Sequence, residues 1–301
     1  REVVEAYANY ARAAFDEFGQ EIKNWFTFNE PIVEPQQRFT NAVWYPFHHD
    51  FAEARRVQYG ISLAHVLATH EFRLAQAAGT VRADAKIGLI NCFTPPYTKD
   101  NPSEEDLEAV RIVDGVDNRW WLDLVTKGEF PQDILDDLDR SGIDLGQRPG
   151  DEQIIKQGPV DWLGFNYYHP ARVQAPSKKT DQYGNPVFAE EYVWPDAVMN
   201  KSRGWEIYPK GIYDFAMTMR DNYRIEFVRD HLKWVAKAIE DGAKCRGYHY
   251  WAVIDNWSWA NAFKNRYGFV EVNLDDNYSR HYKKSADWLR RVATTHTIFD
   301  A

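Results

Sequence analysis

Four short apolar segments, each ending in polar residues, constrain the fold of this sequence most. They cover residues 22–28, 86–92, 160–168 and 245–253. Strands that are apolar on both faces and alternate with helices are typical of a parallel sheet covered by helices. Polar side chains at the ends of such strands favour a barrel over an open sheet, because active sites of (β/α) barrels lie there. The sequence therefore predicts an α/β fold of the barrel class.

Helical patterns, in which apolar side chains recur at helical spacing, fill the intervals. They cover residues 1–18, 51–78, 103–126, 209–223, 225–239 and 283–292. Two of them meet at Tyr223 and Arg224, where the alternation requires a strand. We therefore expect a strand with its loops to be missing at this junction, and further strands to be missing before Arg1. The expected organisation is a single barrel domain over residues 1–301, incomplete at both places.

The composition is ordinary for a soluble globular protein, with 44% hydrophobic and 27% charged residues. The net charge of −9 does not favour a nucleic acid as partner, but it leaves room for a phosphorylated small substrate in a local pocket. The sequence contains no run of 18 apolar residues, so no membrane span is expected. Cys92 and Cys245 lack the spacing of a metal site or a disulfide framework. A reducing compartment, the cytoplasm, fits best.

Aromatic residues make up 15% of the chain, and several tryptophans stand in polar surroundings. These are Trp194, Trp205, Trp257 and Trp259. Their rings suit flat ligands with hydroxyl edges, such as sugars, and they equally suit core packing with satisfied indole N–H groups. The composition leaves both interpretations open.

Glu30 is a candidate catalytic carboxyl. An aromatic strand pattern stops at Asn29 and Glu30, and Pro31 cannot continue it. The alternative is a structural ion pair at the end of a strand. Asp255, just past the last predicted strand, would be the substitute nucleophile if the chain were complete. Otherwise it orders its loop through bonds from its side chain to the backbone.

Five motifs, in the same order along the chain, resemble glycoside hydrolase family 1. They are Thr27-Phe28-Asn29-Glu30-Pro31, Leu163-Gly164-Phe165-Asn166-Tyr167-Tyr168, Tyr208-Pro209-Lys210-Gly211, Gly247-Tyr248-His249-Tyr250-Trp251 with Asp255-Asn256-Trp257-Ser258-Trp259, and Arg266-Tyr267-Gly268-Phe269. The resemblance implies a (β/α)8 TIM barrel and the hydrolysis of β-glycosides with retention of configuration. Such hydrolysis needs two carboxyls about 5–5.5 Å apart, a nucleophile and an acid that later acts as a base.

The resemblance also implies a role for each matching residue. Glu30 matches the acid/base, which must hold a proton near neutral pH. Asn29 matches the amide that binds the sugar hydroxyl beside the reacting carbon. Tyr168 matches the tyrosine that orients the nucleophile. The residues implied to bind the sugar directly are Asn166, Trp251 and Trp259.

The family's nucleophile has no counterpart in this sequence. In the family it lies in an Ile/Val-Ser/Thr-Glu-Asn-Gly segment at the end of the seventh strand, which would fall between Tyr223 and Arg224. The first three strands, with their sugar-binding Gln and His, are missing as well. We expect the parent protein to contain these parts, because an incomplete sheet would expose edges that proteins usually avoid. The alternative is a fragment that cannot catalyse as it stands.

Ser258 is a second departure, since many β-glucosidases of the family carry Glu there. A carboxylate would repel a phosphate, whereas Ser258, Lys264 and Tyr267 resemble the set that binds the 6-phosphate in 6-phospho-β-glycosidases. Lys264 is displaced by one position from the usual spacing, with Asn265 in its place. A solvated surface lysine is the alternative. The wider run over residues 257–267 resembles bacterial 6-phospho-β-glucosidases.

These features predict an enzyme that hydrolyses 6-phospho-β-glucosides such as cellobiose 6-phosphate. An ordinary β-glucosidase, a 6-phospho-β-galactosidase and a catalytically inactive sugar-phosphate-binding remnant are the alternatives. The expected partner is a small phosphorylated disaccharide, and neither a nucleic acid nor a membrane is expected. No metal or organic cofactor is implied. Oligomeric state, the aglycone and the preference for gluco or galacto sugars are left open.

Overall fold

The computed structural model of the chain describes residues 1–200, 203–208, 211, 224–245, 247–257 and 267–299. The contacts divide the chain into two compact units. Unit 1 comprises Arg1–Asn166 and Ala171–Tyr192, and unit 2 comprises Tyr167–Pro170 and Val193–Ala301. The helix predicted over residues 209–223 lies outside the described residues, apart from residue 211.

Unit 1 alternates helices and strands along most of its length. Its helices are α1 (Glu2–Phe18), α2 (Val33–Pro35), α3 (Phe51–Ala77), α4 (Glu104–Asp114), α5 (Trp120–Lys127), α6 (Gln132–Arg140) and α7 (Asp151–Ile155). Its strands are β1 (Asn24–Asn29), β2 (Lys86–Cys92), β3 (Pro96–Tyr97), β4 (Trp162–Asn166), β5 (Ala171–Gln174) and β6 (Glu190–Glu191). A π-helical turn at Gln36–Thr40 continues α2, and another at Gly115–Arg119 joins α4 to α5.

The three strands predicted within unit 1 form one parallel sheet in the order β1-β2-β4. Parallel strands need crossover connections rather than tight turns, and helices supply them here. The register pairs Asn24 with Lys86 at one end and Cys92 with Asn166 at the other. It shifts between Phe26 and Asn29, just before β1 ends. The predicted parallel arrangement is confirmed for these strands.

Local capping explains where two of the helices begin. The side chain of Asp50 accepts a hydrogen bond from the Glu53 amide at the start of α3. Ser103 and Asp106 form a capping box at the start of α4. The single helix predicted over residues 103–126 is interrupted by the π-helical turn, which the spacing of apolar residues does not reveal.

The core of unit 1 lies between the sheet and its helices. Leu89 of β2 is fully buried in a cluster that includes Trp121 and Leu124 of α5. Ile87, on the same face of β2, belongs to a second cluster with Phe72 of α3. Burying one such side chain contributes about 1.5–3 kcal/mol. This packing fixes the position of β2. Because β1 and β4 both pair with β2, the positions of their ends depend on it.

Unit 2 contains short antiparallel strand pairs and helices in its described part. These elements are β7 (Met199–Asn200) with β8 (Trp205–Glu206), α8 (Arg224–Glu240), β9 (Val270–Val272) with β10 (Arg280–Tyr282), and α9 (Lys284–Thr295). Val228, Phe269, Trp288 and Val292 form a buried cluster among them. The helices predicted over residues 225–239 and 283–292 are confirmed as α8 and α9.

The strand predicted over residues 245–253 is wrong for the part of this range that is described. Residues 245 and 247–253 form no strand, although a parallel bridge joins Ile254 to Val270. Aromatic and β-branched residues favour a strand only when a neighbour supplies the hydrogen bonds. The carbonyls of Ala252 and Val253 accept hydrogen bonds from the amides of Phe269 and Val270, but this pairing amounts to a single bridge and forms no strand. The peptide bond between Trp251 and Ala252 is cis.

Asp255 orders the loop that follows this segment. Its side chain is fully buried and accepts hydrogen bonds from Lys283 Nζ at 2.7 Å and from the Gly268 amide at 2.8 Å. Burial opposes ionisation, but these hydrogen bonds prevail and lower the pKa of Asp255. The carboxylate therefore already bonds the Lys283 ammonium and the Gly268 backbone. This supports the loop-ordering interpretation and argues against a substitute nucleophile.

We expect Asp255→Asn to destabilise the chain by about 3 kcal/mol, because Lys283 would lose its buried counter-charge. The pKa of Asp255 is lower in the folded chain than in the unfolded chain. Its contribution is therefore fully present above about pH 4 and is lost as the pH falls further. Urea unfolding at several pH values measures both effects.

Asp287→Asn is the matched control, because Asp287 pairs with Arg290 on the surface of α9 and both side chains are exposed. It should cause no measurable loss of stability. Equal stabilities for Asp255→Asn and the unchanged chain would contradict the structural role of Asp255.

Candidate active site

The parallel sheet of unit 1 brings three polar side chains to one edge. Glu30 follows β1, Cys92 ends β2 and Asn166 ends β4. Parallel strands run in the same direction, so their carboxyl ends meet at the same edge of the sheet. Asn29, the last residue of β1, completes the cluster. Three residues predicted to be functional, Asn29, Glu30 and Asn166, therefore lie together.

The side chain of Asn166 connects this cluster. Its Nδ2 donates hydrogen bonds to Glu30 Oε1 at 2.6 Å and to Asn29 Oδ1 at 3.1 Å. The shorter distance is typical of a hydrogen bond to a charged acceptor. Among the residues that the structure describes, Glu30 forms no ion pair with a Lys, Arg or His within 4.0 Å. The ion-pair interpretation of Glu30 therefore has no support in this part of the chain.

The backbone of Glu30 adopts a left-handed conformation with φ of 54°. Residues with a Cβ rarely adopt it, and it costs roughly 1–3 kcal/mol. Two hydrogen bonds hold it: the Glu30 amide donates to the Ile90 carbonyl at 2.8 Å, and the Val33 amide donates to the Glu30 carbonyl at 2.9 Å. Such conformations occur often at functional sites. This one turns the chain sharply at the end of β1.

His65 supports β1 from the helix side, and the sequence contained no signal for it. Thr27 Oγ1 lies 2.6 Å from His65 Nδ1 on α3. His65 is fully buried, and burial lowers its pKa to about 4. The ring is therefore neutral at pH 7 and can bond Thr27 without bringing a charge into the core. A lone histidine within a largely apolar helical pattern does not reveal such a contact.

Tyr168 and Trp251 are predicted site residues that belong to unit 2. The ring of Tyr168 packs against Trp205 at a centroid distance of 5.6 Å, and the residue is 37% exposed. Trp251 is 65% exposed. An exposed indole face is suited to a sugar ring. The predicted residues Ser258, Trp259 and Lys264 lie outside the described residues.

Arg203 is a cation beside Tyr267, within unit 2, that sequence reasoning missed. Its guanidinium carbon lies 4.0 Å from the centre of the Trp205 ring. Its Nη1 donates a hydrogen bond to the Tyr267 hydroxyl at 3.4 Å. Stacking on an aromatic face restrains the guanidinium plane. In the sequence it was only one of several basic residues in a long polar loop.

No group of three or more His, Cys, Asp and Glu in the described ranges could hold a metal ion. None of the helices within those ranges has both the length and the apolar character needed to cross a membrane.

Comparison with known proteins identifies relatives over nearly the whole chain. The chain is 40% identical to 6-phospho-beta-glucosidase GmuD of Bacillus subtilis (strain 168) over 332 aligned residues, which cover 97% of this chain and 69% of that protein. It is 27% identical to Beta-glucosidase A of Acetivibrio thermocellus, and the alignment covers 97% of this chain and 68% of that protein. It is 25% identical to a 6-phospho-beta-galactosidase of Clostridium acetobutylicum, and the alignment covers 100% of this chain and 71% of that protein.

Solved structures show the same similarity. A beta-glucosidase from Exiguobacterium marinum matches with a TM-score of 0.81 at 25% identity, covering 99% of this chain and 70% of that chain. A beta-glucosidase from Thermotoga maritima, in complex with glucoimidazole, matches with a TM-score of 0.81 at 27% identity, covering 98% and 69%. Both are (β/α)8 barrels, so the predicted fold class is confirmed, with the barrel partly represented in this chain.

The family model of glycosyl hydrolase family 1 matches this chain in two parts, residues 1–223 and 214–298. Together they cover nearly all of the sequence, and they include the strand ends that carry Asn29, Glu30 and Asn166. The family predicted from the five motifs is confirmed: the chain belongs to glycosyl hydrolase family 1.

Proposed function

We propose that this protein hydrolyses 6-phospho-β-glucosides, such as cellobiose 6-phosphate, with retention of configuration. The observation that carries the hydrolase assignment is the carboxyl of Glu30 at the sheet edge, held by an amide donor from Asn166. The phosphate assignment is supported by Ser258, Lys264 and Tyr267 in the sequence. It is further supported by the higher identity to the Bacillus 6-phospho-beta-glucosidase than to Beta-glucosidase A.

Glu30 is the proposed acid/base. As the bond from the anomeric carbon to the glycosidic oxygen breaks, Glu30 gives its proton to that oxygen. In the second step the Glu30 carboxylate takes a proton from the attacking water. The hydrogen bond from Asn166 to Oε1 holds the carboxyl in one orientation through both steps. Asn29 lies beside it and is suited to bind the neighbouring sugar hydroxyl.

We also propose that the functional enzyme carries its nucleophile in a segment between Tyr223 and Arg224. Double displacement requires that second carboxyl, and Asp255 is occupied by Lys283. Two findings support the segment. The family model matches in two parts that overlap over residues 214–223, next to this junction. The alignment with the Bacillus relative spans 332 positions, more than the 301 residues of this chain.

Intact-mass measurement and peptide mapping of the protein purified from its source test this segment. We expect peptides that place additional residues, including a Glu-Asn-Gly sequence, between Tyr223 and Arg224. A peptide that joins Tyr223 directly to Arg224, in a protein that still hydrolyses glycosides, would contradict the proposal.

Phosphate recognition is proposed for the surroundings of Tyr267. The chain carries a net charge of −9, so binding a phosphate requires a local concentration of cations. Arg203, bonded to the Tyr267 hydroxyl, supplies one such cation in addition to Lys264. A guanidinium can donate two parallel hydrogen bonds to a phosphate, whereas an ammonium acts as a point charge.

We place the enzyme in the cytoplasm, since an ionised sugar phosphate does not cross a bilayer unaided.

We expect Arg203→Gln to lower kcat/KM for a nitrophenyl 6-phospho-β-glucoside by roughly 10-fold or more, the effect of losing a hydrogen bond to a charged group. Its kcat/KM for the unphosphorylated nitrophenyl glucoside should not change. Steady-state kinetics of the full-length protein with this substrate pair measure both. Arg291→Gln is the matched control, since Arg291 stacks on Phe299 in the same unit, and it should change neither value.

Equal or better turnover of the unphosphorylated glucoside by the unchanged enzyme would rule out the phosphate assignment. An ordinary β-glucosidase would then be the function, which is the second candidate and is favoured by the structural neighbours. A preference for the 6-phospho-galactoside would instead indicate the activity named for the Clostridium relative.

Glu30→Gln should lower the rate by roughly 10²- to 10⁴-fold for substrates with poor leaving groups, because their departure depends on protonation. Substrates with nitrophenol leaving groups should be less affected in the first step. Glu34→Gln, four residues further on, is the control, since Glu34 is half-exposed and pairs with Arg38. A loss for Glu30→Gln no larger than that for Glu34→Gln would refute the acid/base assignment.

A further inference from the structure

Trp205 is a half-buried ring in unit 2 and contacts Tyr168, His169 and Arg203. The centre of the Tyr168 ring lies 5.6 Å from the centre of the Trp205 ring, and that of the His169 ring lies 4.8 Å from it. The guanidinium carbon of Arg203 lies 4.0 Å from the same ring centre. Trp205 therefore contacts both the tyrosine implied to orient the nucleophile and the cation proposed to bind a phosphate.

Backbone bonds hold Trp205 beside Tyr168. Strands β7 and β8 pair antiparallel, with Asn200 opposite Trp205. The buried Tyr167, which precedes Tyr168, donates a hydrogen bond from its hydroxyl to the Tyr208 carbonyl at 2.9 Å. Tyr208 follows Trp205 by three residues, so this bond joins the two segments that carry the rings. The rings of Trp205 and Tyr168 therefore meet on segments that are bonded to each other.

The turn before β8 holds Arg203 against the Trp205 ring. The Arg203 amide donates hydrogen bonds to the backbone carbonyl and to the side-chain Oδ1 of Asn200, each at 3.3 Å. The Gly204 amide donates to the same carbonyl at 2.8 Å, and its φ of 72° is a conformation that glycine adopts readily. The guanidinium also donates to the Tyr267 hydroxyl. The backbone and the side chain of Arg203 are thus both restrained.

We propose that Trp205 is a positioning residue that links recognition of the 6-phosphate to the orientation of Tyr168. The inference rests on the proposed function, in which Arg203 binds the phosphate, and on the role implied for Tyr168. A phosphate that bonds the guanidinium fixes its plane. Because that plane is stacked on Trp205, the indole is restrained as well, and the indole packs on Tyr168. Binding energy from a remote part of the substrate thereby contributes to kcat and not to KM alone.

His169 packs on the same ring without bringing a competing charge. Burial lowers the pKa of His169, and the Arg203 guanidinium lowers it further, while the hydrogen bond to the Pro170 carbonyl and the charge of Glu206 on β8 act in the opposite direction. Its Nδ1 lies 2.8 Å from the Pro170 carbonyl. A neutral ring that donates through Nδ1 adds packing to Trp205. The charge stacked on Trp205 is that of Arg203, so changing Arg203 tests the phosphate side of the link.

A double-mutant cycle in the full-length protein tests the contact with Arg203. Its readout is the ratio of kcat/KM for the nitrophenyl 6-phospho-β-glucoside to kcat/KM for the unphosphorylated glucoside. Trp205→Leu should lower this ratio by roughly 2- to 5-fold, the size of a cation–π contact. When Arg203→Gln is already present, Trp205→Leu should lower the ratio no further. Trp205→Phe keeps an aromatic face and should retain most of the ratio.

A second cycle tests the contact with Tyr168, using the unphosphorylated glucoside. Trp205→Leu should lower kcat for this substrate by roughly 2- to 5-fold, the effect of losing an aromatic contact. In a Tyr168→Phe background the same substitution should lower kcat less, because the hydroxyl that Trp205 orients is gone. Arg291→Gln is the control, since Arg291 stacks on Phe299. Its effect and that of Trp205→Leu should simply add.

Additive effects in either cycle would overturn the link. A merely structural role for Trp205 would lower the activity on both substrates by the same factor and leave their ratio unchanged. If Trp205→Leu does not fold, ¹⁹F NMR of the full-length protein labelled with fluorotryptophan decides, with Trp205→Phe assigning the signal. Glucose 6-phosphate should move the Trp205 signal, and Arg203→Gln should abolish that movement. A Trp205 signal that glucose 6-phosphate leaves in place would equally overturn the link.

The link and the phosphate assignment fail separately. If Arg203→Gln lowers the ratio of the two substrates as expected while either cycle is additive, phosphate recognition by Arg203 stands and the link through Trp205 is wrong. If Arg203→Gln leaves the ratio unchanged, the phosphate role of Arg203 is wrong, and the link is refuted with it.

Discussion

The hydrogen bond from Asn166 to Glu30 is the interaction on which the candidate site depends. It joins the ends of β1 and β4, the two outer strands of the sheet, across the central strand that ends in Cys92. It exists only because the parallel register places these strand ends level with one another. A slip of one residue would turn the side chains of a strand to its other face. Leu89 of β2 packs against α5 and holds the central strand in place. This packing therefore contributes to the geometry of the site.

Two carboxyls follow apolar segments in this chain, and their surroundings give them different properties. Asp255 is buried against Lys283 and a backbone amide, which keep it ionised. Glu30 accepts its hydrogen bond from the side-chain amide of Asn166, which carries no charge. A carboxyl with neutral partners can gain or lose a proton without leaving an opposite charge unpaired. This difference suits Asp255 to structure and Glu30 to proton transfer.

Unit 2 presents a comparable contrast between a motif and its neighbours. Tyr267 belongs to a motif that the sequence indicates, but the guanidinium bonded to it comes from Arg203, 64 residues earlier. The guanidinium stacks on the face of the Trp205 ring, which restrains its orientation. In the proposed phosphate site, the motif therefore contributes the Tyr267 hydroxyl, and a residue outside the motif contributes a guanidinium.

The sequence by itself determined the three parallel strands of unit 1, the helices α1 and α3 beside them, and the family. The strands and helices follow from the periodicity of apolar residues, and the family follows from short motifs, which are local properties. Only the tertiary structure decided the left-handed turn at Glu30, its donor and the pairing of Asp255. Asn166 and Glu30 are 136 positions apart, so their contact depends on the register of the sheet. The strand predicted at residues 245–253 failed for the same reason, because a strand needs a neighbour that local sequence cannot specify.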